Sequence, residues 1–362
     1  MANWKVVAAG VALLAGATSC SKHPNAPGPP PPPRSFEMGF SAIPPRLTID
    51  DVLANFALWS PRADAAILHL TPEWPALLAG VDPDTIVVHT QVPLVDLYRA
   101  HGLSITVTLD ATDGLDRAAE SPGLVDSGRS LTEPEIQQLY RDYALAIWRQ
   151  IHPAHLALAA EVNLIRVAAP PALYAAVRQV ANDAAADLRA AGCTARLSVS
   201  IQSEVVWGRF AGNTYVGLAT DLADFPFMEE LPLSSYPYLG GFAVPEDIPL
   251  DYYARPQAEA GMPVRVVEGG WASESVPGVP SSPAEQARYI RRQAALLDSA
   301  RANAVFQLNF SDIDVSTFPP PIPPNLPLFV TIGLVTKDYV PKPALAAWDA
   351  VFRRQLSATL PD

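Results

Sequence analysis

From Ser35 onward, short apolar runs alternate with longer stretches that are rich in alanine and leucine. The short runs are typical of buried strands, and most of the stretches between them are typical of helices. The pattern predicts eight strands: Phe36–Ile43, Ala65–Leu70, Ser104–Asp110, Leu156–Glu161, Arg196–Gln202, Leu231–Tyr236, Val264–Glu268 and Ala304–Phe310.

Helix start and stop signals lie between these runs. Thr48 precedes a first turn with two acidic residues, and Ser282-Pro-Ala-Glu285 is a capping box. Further helices are predicted to begin at Thr132 and Pro171 and at about Pro343, and the helices that start at Pro171, after Ser282 and at Pro343 are predicted to reach Ala191, Arg301 and Arg354.

The alternation favours a closed (β/α)₈ barrel, an α/β fold made of a single TIM-barrel domain. An open doubly wound sheet is the alternative, but it usually has a glycine-rich turn after its first strand. The corresponding segment, Phe40–Pro45, contains no glycine. We therefore predict a barrel over residues 35–362.

Two predicted strands end in a glutamate. The fourth ends in Glu161 and the seventh in Glu268. Strict alternation places Glu161 on the same face as Ala159, and Glu268 on the same face as Val266. Because the loops after barrel strands gather on the face that carries active sites, we expect the two carboxylates to face each other there.

Composition sets limits on the function. The 362 residues are 49% hydrophobic, which permits a large core, and the net charge of −12 with no basic stretch argues against nucleic acid. The histidines and cysteines lack the usual metal-ligand spacings, and no Gly-x-Ser-x-Gly elbow is present. We therefore expect no metal, no cofactor and no serine nucleophile.

The N-terminus has the pattern of an export signal. Lys5 precedes an apolar run, Val6–Ala15, that is too short to span a bilayer, and Ala17–Cys20 resembles a bacterial lipobox. Residues 1–20 are thus predicted to be a signal peptide with lipidation at Cys20, and ordinary cleavage nearby is the alternative. Either outcome predicts an exported protein, facing the periplasm or the cell surface if anchored to the membrane and secreted otherwise.

Residues 21–34 form a proline-rich linker with five consecutive prolines, Pro29–Pro33. Such a segment adopts extended polyproline II geometry and acts as a semi-rigid spacer. If Cys20 is lipidated, Cys193 is the only other cysteine, so no disulfide within the chain is expected. The stability of the predicted barrel must then come from its core.

A glutamate pair at a barrel mouth suits glycoside cleavage. One carboxyl protonates the departing oxygen, and in the retaining mechanism the other, ~5–5.5 Å away, attacks the anomeric carbon. This arrangement resembles clan A glycoside hydrolases. Their acid/base follows strand four and their nucleophile follows strand seven.

Three motifs narrow this resemblance. Glu268-Gly-Gly-Trp271 is similar to the Glu-Thr-Gly-Trp nucleophile motif of family 53 endo-β-1,4-galactanases and family 17 β-glucanases. Ser234-Ser-Tyr236-Pro-Tyr238 resembles the signature after their sixth strand, and the segment from Pro341 to Trp348 resembles their closing helix.

The resemblance implies roles for several residues. Glu161 would be the general acid/base, protonated near neutrality, and Glu268 the ionised nucleophile, held in place by Tyr236. The families place asparagine immediately before the acid/base, where this chain has Ala160, and Asn163 would contact the sugar from another direction. Alternation predicts that Arg265 points toward the helices.

Further residues at strand ends are candidates for sugar binding. Tryptophan rings at the rim stack on sugar faces, and polar strand ends bind hydroxyls. For each tryptophan the alternative is a place in the core, and for each polar residue a turn or cap. The candidates are Trp74, Trp207, Trp271, Asp110, Gln202 and Asn309.

These observations predict an exported, lipid-anchored, monomeric retaining glycoside hydrolase that cleaves a β-linked poly- or oligosaccharide without a cofactor. The alternative is a carbohydrate-binding surface lipoprotein with the same barrel but no activity, which Ala160 and the lack of a basic residue beside Glu268 favour. A purely structural envelope protein is the third possibility, and it predicts no cleft between Glu161 and Glu268.

Overall fold

The computed structural model describes residues 31–318 and 322–357. The predicted signal peptide, Cys20 and the linker up to residue 30 lie outside the described residues. From Pro33 onward the chain forms one compact unit.

The described residues contain a sheet of nine parallel strands. They are β1 Glu37–Ile43, β2 Ala65–Leu70, β3 Ser104–Leu109, β4 His155–Ala157, β5 Arg196–Ser198, β6 Ile201–Gln202, β7 Leu231–Ser235, β8 Val264–Gly269 and β9 Ala304–Asn309. Their order in the sheet is β5-β4-β3-β2-β1-β9-β8-β7-β6.

The two ends of this order are halves of one predicted strand. β5 pairs with β4 and β6 pairs with β7, and only Val199 and Ser200 separate β5 from β6 along the chain. The chain itself therefore closes the sheet into a barrel. The predicted (β/α)₈ fold is confirmed.

Helices follow most strands and cover the outside of the barrel. In the described chain they are α1 Ile49–Trp59, α2 Trp74–Leu78, α3 Pro83–Thr90, α4 Val92–Ala100, α5 Pro122–Asp126, α6 Pro134–Ile151, α7 Val162–Ala168, α8 Pro171–Ala190, α9 Ser203–Val206, α10 Ala219–Asp224, α11 Ala254–Ala260, α12 Pro283–Ala300 and α13 Pro343–Phe352. Among the described residues, no helix is both long and apolar enough to cross a membrane.

Side chains cap the helices where the sequence predicts it. The Thr48 hydroxyl accepts the Asp51 N–H at the start of α1. At α12, the Ser282 hydroxyl accepts the Glu285 N–H and donates to the Glu285 carboxylate at 2.8 Å. Each cap satisfies N–H groups that have no partner inside the helix. Cys193 is a buried free thiol.

Arg265 lies inside the barrel, so the prediction that it faces the helices is wrong. Its Nη2 donates to Thr106 Oγ1 of β3 at 3.1 Å and lies 3.8 Å from Glu37 Oε2 of β1. Neither strand is next to β8 in the sheet, so the side chain must cross the interior to reach them.

A bulge in β8 explains this error. Leu233 pairs with Val266 and Ser234 pairs with Glu268, which leaves Val267 as an extra residue in β8. Val266 packs in the main core, whereas Val267 belongs to a separate apolar cluster with Ala65, Ile67, Ala304 and Phe306. The prediction that Glu268 shares a face with Val266 is therefore wrong. The extra residue turns Glu268 to the mouth of the barrel.

Candidate active site

Glu161 and Glu268 line one cavity of about 440 Å³. The cavity lies where the loops after the strands meet, at the barrel end that carries active sites in this fold. Its other walls include residues 114–118 after β3, Gln202 at the end of β6, Tyr236 after β7 and residues 325, 328 and 329. The two carboxyl groups thus border the same space.

Glu161 reaches this cavity from a turn. The regular pairing of β4 ends at Ala157, but the chain continues beside its neighbour, because the Glu161 N–H donates to Ser200 Oγ at 2.8 Å. Glu161 itself has φ 49° and ψ 44°, in the left-handed region, immediately before α7. This conformation is uncommon for a residue with a side chain and occurs often at functional sites.

Two donors hold the Glu161 carboxylate. Arg117 Nε donates to Oε2 at 2.8 Å, and Ser234 Oγ donates to Oε1 at 2.6 Å. Arg117 also donates through Nη1 to Asp110 Oδ1 at 2.7 Å. Burial by itself lowers the pKa of Arg117, but the charges of Asp110 and Glu161 outweigh it and raise this pKa above its ordinary value. Arg117 is therefore a permanent cation beside Glu161.

Glu268 has a different environment. The Tyr236 hydroxyl donates to its Oε1 at 2.6 Å, and His69 Nδ1 lies 3.6 Å from its Oε2. Burial, followed by repulsion from Glu161, raises the pKa of Glu268 to about 8. Burial also lowers the pKa of His69. At neutral pH, therefore, His69 is uncharged and Glu268 holds a proton.

This distribution of charge is the reverse of the one expected from the resemblance. Glu161, the expected proton donor, forms the ion pair with Arg117, and Glu268, the expected nucleophile, has the raised pKa. The site thus has one proton and one negative charge, as an acid and a nucleophile require.

A third buried carboxyl supports Tyr236. Glu204 Oε1 accepts the Tyr236 backbone N–H at 3.0 Å and the Tyr252 hydroxyl at 2.8 Å. Burial raises the pKa of Glu204 to about 8. The sequence does not mark Glu204 as part of the site, because a glutamate in a short helix after a strand is normally exposed to solvent.

The polar candidates from strand ends have different places. Gln202 lines the cavity. Asp110 is not part of the lining, but it accepts a hydrogen bond from Arg117, which is. Asn163 binds the backbone of Gln202, with Nδ2 donating to its carbonyl at 2.9 Å and Oδ1 accepting its N–H at 2.8 Å. Asn309 Nδ2 donates to the Phe329 carbonyl at 3.2 Å. The two asparagines therefore fix the walls of the cavity and do not line it.

The three tryptophan candidates are absent from the lining of this cavity. Trp271 is buried and donates to Ser281 Oγ at 2.9 Å, while Trp207 stacks on Tyr252 with ring centroids 5.3 Å apart. Trp74 is buried and borders a smaller cavity. Their large apolar rings pack under the loops, which is the alternative given for each of them.

Phe210, Phe329 and Tyr236 supply the aromatic surface of the cavity. Phe210 is 51% exposed, so its ring is accessible at the rim of the cavity. Its loop between α9 and α10 gives no local sequence signal of a binding role. No cluster of residues suited to a metal ion occurs in the described part of the chain.

His69 and Arg117 are the other residues of the site that the sequence analysis missed. His69 follows Ala65 and Ile67 at alternate positions of β2, so its inward direction was available from the strand pattern. Arg117 lies in the loop between β3 and α5, where no periodicity applies.

The fold and the glutamate pair together define a class, the (β/α)₈ barrels with two carboxyls at one mouth. No protein-family model matches the chain, and no curated protein matches it in sequence. Solved structures do match it in fold.

One match is an exo-β-1,4-mannosidase from Opitutaceae bacterium strain TAV5, with a TM-score of 0.63 and 17% identity over 88% of this chain and 59% of that one. A GH5_18 protein from Streptomyces cattleya in complex with Manβ1-4GlcNAc has a TM-score of 0.61 and 17% identity over 90% and 82% of the two chains. A β-glucuronidase from an uncultured Clostridium sp. has a TM-score of 0.58 and 13% identity over 88% and 50%.

The chain thus spans 59% of the mannosidase and half of the glucuronidase. These neighbours agree with the resemblance to clan A at the level of fold. The narrower resemblance to families 53 and 17 is not confirmed by them and stays a prediction.

Proposed function

We propose that this protein is a retaining glycoside hydrolase that acts on a β-linked poly- or oligosaccharide through Glu161 and Glu268. The observation that carries the proposal is that both carboxyls border one cavity at the mouth of the barrel, one beside a cation and the other with a raised pKa. An acid and a nucleophile in one site need opposite charge states.

The chemistry follows from the groups at the cavity. One carboxyl gives its proton to the departing glycosidic oxygen while the other attacks the anomeric carbon, and water then hydrolyses the glycosyl ester. Following the resemblance, we assign the acid/base role to Glu161 and the nucleophile to Glu268. Since Glu268 holds the proton in the free protein, this proton must pass to Glu161 before attack. Tyr236 favours that transfer by donating to the Glu268 carboxylate.

The substrate class rests on two supports. The neighbours named above include an exo-β-1,4-mannosidase and a β-glucuronidase, and both of those enzymes are named for β-linked sugars. The cavity offers Phe210 and Phe329 as apolar walls on which sugar rings stack. Export of the chain and anchoring through Cys20 are part of the same proposal, because residues 1–20 have the pattern of an export signal and Ala17–Cys20 resembles a lipobox.

Azide rescue tests the reaction and the two roles together. With an activated aryl β-glycoside, Glu268→Ala should lose turnover by several orders of magnitude. Azide should then restore part of it and form the α-glycosyl azide, because azide attacks once in place of the nucleophile. Glu161→Ala should give the β-glycosyl azide, because azide replaces water at the covalent intermediate.

The configuration of each azide product is read by NMR. If the two configurations are exchanged, the roles of the glutamates are reversed. Full turnover in Glu268→Ala would contradict the hydrolase proposal.

A carbohydrate-binding protein without turnover is the second candidate. The ion pair between Arg117 and Glu161 favours it, because a carboxylate held at 2.8 Å by a guanidinium is a poor proton donor, and Ala160 replaces the expected asparagine. Product release from a panel of aryl β-glycosides and glycans, compared with affinity for the same glycans, separates the two. Affinity without release would favour the binding protein.

A further inference from the structure

A long loop follows β9 and reaches over the mouth of the barrel. The chain leaves the barrel at Phe310 and returns beside it, where the Leu334 N–H donates to the Phe310 carbonyl at 2.7 Å. Between these points, residues 325, 328 and 329 line the cavity that holds Glu161 and Glu268. We call residues 325–329 the strap.

Two side-chain hydrogen bonds join the strap to loops on different sides of the mouth. Asn325 Nδ2 donates to the carbonyl of Leu115, in the loop after β3, at 2.7 Å. The hydroxyl of Tyr238, in the loop after β7, donates to the Leu328 carbonyl at 2.7 Å. Since β2, β1, β9 and β8 lie between β3 and β7 in the sheet, the strap crosses the mouth from one side to the other.

The segment that follows the strap is fixed in the protein. The buried Lys342 donates through Nζ to the carbonyls of Gly333 at 2.9 Å and Thr331 at 3.2 Å, and Gln286 Nε2 donates to the Gly333 carbonyl at 2.9 Å. A Cβ atom at Gly333 would lie 2.3 Å from the carbonyl carbon of Ser311, so only glycine fits there. With both ends held, the strap is a fixed wall and not a lid.

The strap closes one end of the cavity. The other lining residues come from the loops after β3, β4, β6, β7 and β8, and in the described chain none comes from the loops after β1 and β2. Across the barrel from β9 and β1, the lining ends in the exposed residues Phe210 and Ala168. The cavity is therefore walled toward β1 and β2 and open toward Phe210.

This shape limits how a glycan can bind. A chain that is cut internally continues on both sides of the scissile bond, so it needs a groove that is open at both ends. A cavity with one closed end accepts a chain only by its end. Its volume of about 440 Å³ is in the lower part of the range for small-molecule sites, ~300–1,000 Å³, which suits a few sugar units.

We propose that the strap is a specificity-determining element that restricts the protein to the end of a glycan chain, so that it removes terminal sugar units and does not cut inside the chain. The terminal unit lies against the strap, and the rest of the chain leaves past Phe210. This inference rests on the proposed function for the position of the scissile bond. It departs from the internal cleavage of the endo-β-1,4-galactanases, whose motif the segment at Glu268 resembles.

The test uses oligosaccharides with blocked ends. Hexasaccharides of β-1,4-linked mannose, glucose and galactose carry a bulky group at neither end, at either one or at both. Each is measured for kcat/KM and, by calorimetry, for affinity.

Two variants open the strap. Asn325→Ala with Tyr238→Phe removes both of its side-chain hydrogen bonds, and replacement of residues 324–328 by two glycines removes most of the strap itself. The first variant keeps the test decisive if the second does not fold. Asn182→Ala is the matched control, because Asn182 Nδ2 donates to the Asp224 carbonyl at 2.9 Å, away from the cavity.

The wild type should accept the unblocked chain and one of the two singly blocked chains, and release only monosaccharide at first. Its kcat/KM and affinity for the doubly blocked chain should be lower by roughly a hundredfold or more. Both strap variants should bring the doubly blocked chain to within about tenfold of the unblocked one and release internal fragments. Asn182→Ala should behave like the wild type.

The other outcomes separate the strap from the hydrolase. Cleavage of the doubly blocked chain by the wild type overturns the strap and leaves the hydrolase standing. So does rejection of that chain by folded strap variants that still cleave the unblocked one. Affinity that requires a free end in the wild type but not in the variants, without turnover, supports the strap and rejects the hydrolase. Neither turnover nor affinity for any chain rejects both.

Discussion

Glu161 and Glu268 lie at the same mouth, yet the protein compensates their charges in two different ways. Arg117 pairs with Glu161, and Ser234 adds a second hydrogen bond. In the described chain Glu268 forms no ion pair with a lysine or arginine, and the nearby His69 is uncharged. Burial raises the pKa of Glu268 to about 8. One carboxyl is neutralised by a cation and the other by a proton.

Residue type and position in the fold therefore do not set the charge state of these two carboxyls. Both groups are glutamates that end or follow a strand, and their side chains are 7% and 12% exposed, so a local reading treats them alike. What separates them is the side chain that each one meets from the loop after the neighbouring strand, Arg117 for Glu161 and Tyr236 for Glu268. The charge state of each therefore depends on a few side chains that can be changed individually.

Replacing Arg117 by leucine should have the largest effect. Glu161 and Asp110 would lose their common cation, and removal of one partner from a buried ion pair costs roughly 3–5 kcal/mol. Since Arg117 lowers the pKa of Glu268, its loss should raise that pKa further. Glu268 would then hold its proton more firmly and give it up less readily, and kcat/KM should fall on the order of a hundredfold.

Urea denaturation measures the free energy of unfolding, and the dependence of kcat/KM on pH measures the pKa of Glu268 in the variant. Arg166→Leu is the matched control, because Arg166 forms a similar ion pair with the buried Asp221 away from the cavity. It should lower stability and keep the shape of the pH profile. An Arg117→Leu protein with wild-type stability and an unchanged profile would contradict the comparison.

Replacing Tyr236 by phenylalanine should have an intermediate effect that is confined to the Glu268 side. The tyrosine hydroxyl stabilises the charged form of Glu268, and a hydrogen bond to a charged group contributes about 1.5–3 kcal/mol. Without it, the pKa of Glu268 should rise above about 8. The basic limb of the kcat/KM profile, where Glu268 loses its proton, should move to higher pH while the maximal rate falls.

Tyr238→Phe is the control for this variant. Tyr238 is also buried, but its hydroxyl donates to the Leu328 carbonyl at 2.7 Å and to neither glutamate. A basic limb that moves equally in both variants, or that moves to lower pH in Tyr236→Phe, would show that the hydroxyl does not act on Glu268.

Replacing Glu204 by glutamine should change only the dependence of stability on pH. The folded pKa of Glu204 is about 8 and its ordinary value is 4.5. Below pH 4.5 both the folded and the unfolded protein hold this proton, and between these values only the folded protein does. Glu204 thus contributes stability that falls as pH rises, by about 1.4 kcal/mol per pH unit, until the folded group ionises near its own pKa.

Glutamine cannot ionise, so the variant should lose this part of the slope. Urea denaturation across this pH range measures it, with Glu274→Gln, an exposed position, as the control. Equal slopes in wild type and Glu204→Gln would mean that Glu204 is ionised in the folded protein. The carboxyl that accepts the Tyr236 N–H would then be charged and not protonated.

The fold was predictable because its signals are local. Apolar runs, capping residues such as Thr48 and the glycine-free turn after the first strand depend on neighbours along the chain, and they led to the barrel. The two glutamates were found for the same reason, since each follows a recognisable strand. Strand limits were less accurate: β4 ends at Ala157, before Glu161, and the fifth predicted strand is interrupted at Val199 and Ser200.

Other features of the site depend on contacts between distant parts of the chain. The bulge at Val267, which turns Glu268 to the mouth, is fixed by pairing with β7 and by the apolar cluster inside the barrel. Arg117 meets Glu161 across 44 positions of sequence. Neither contact leaves a periodic pattern.

The barrel, its closing helix and the two glutamates after strands four and seven could be predicted from the sequence, because hydrophobic periodicity and capping are encoded by residues close in sequence. The folded structure was needed to see which glutamate meets a cation and which keeps a proton, and that the cavity is bordered by Phe210 and by none of the three candidate tryptophans. The physical reason is that desolvation and charge act through space, so they depend on which loops meet above the barrel.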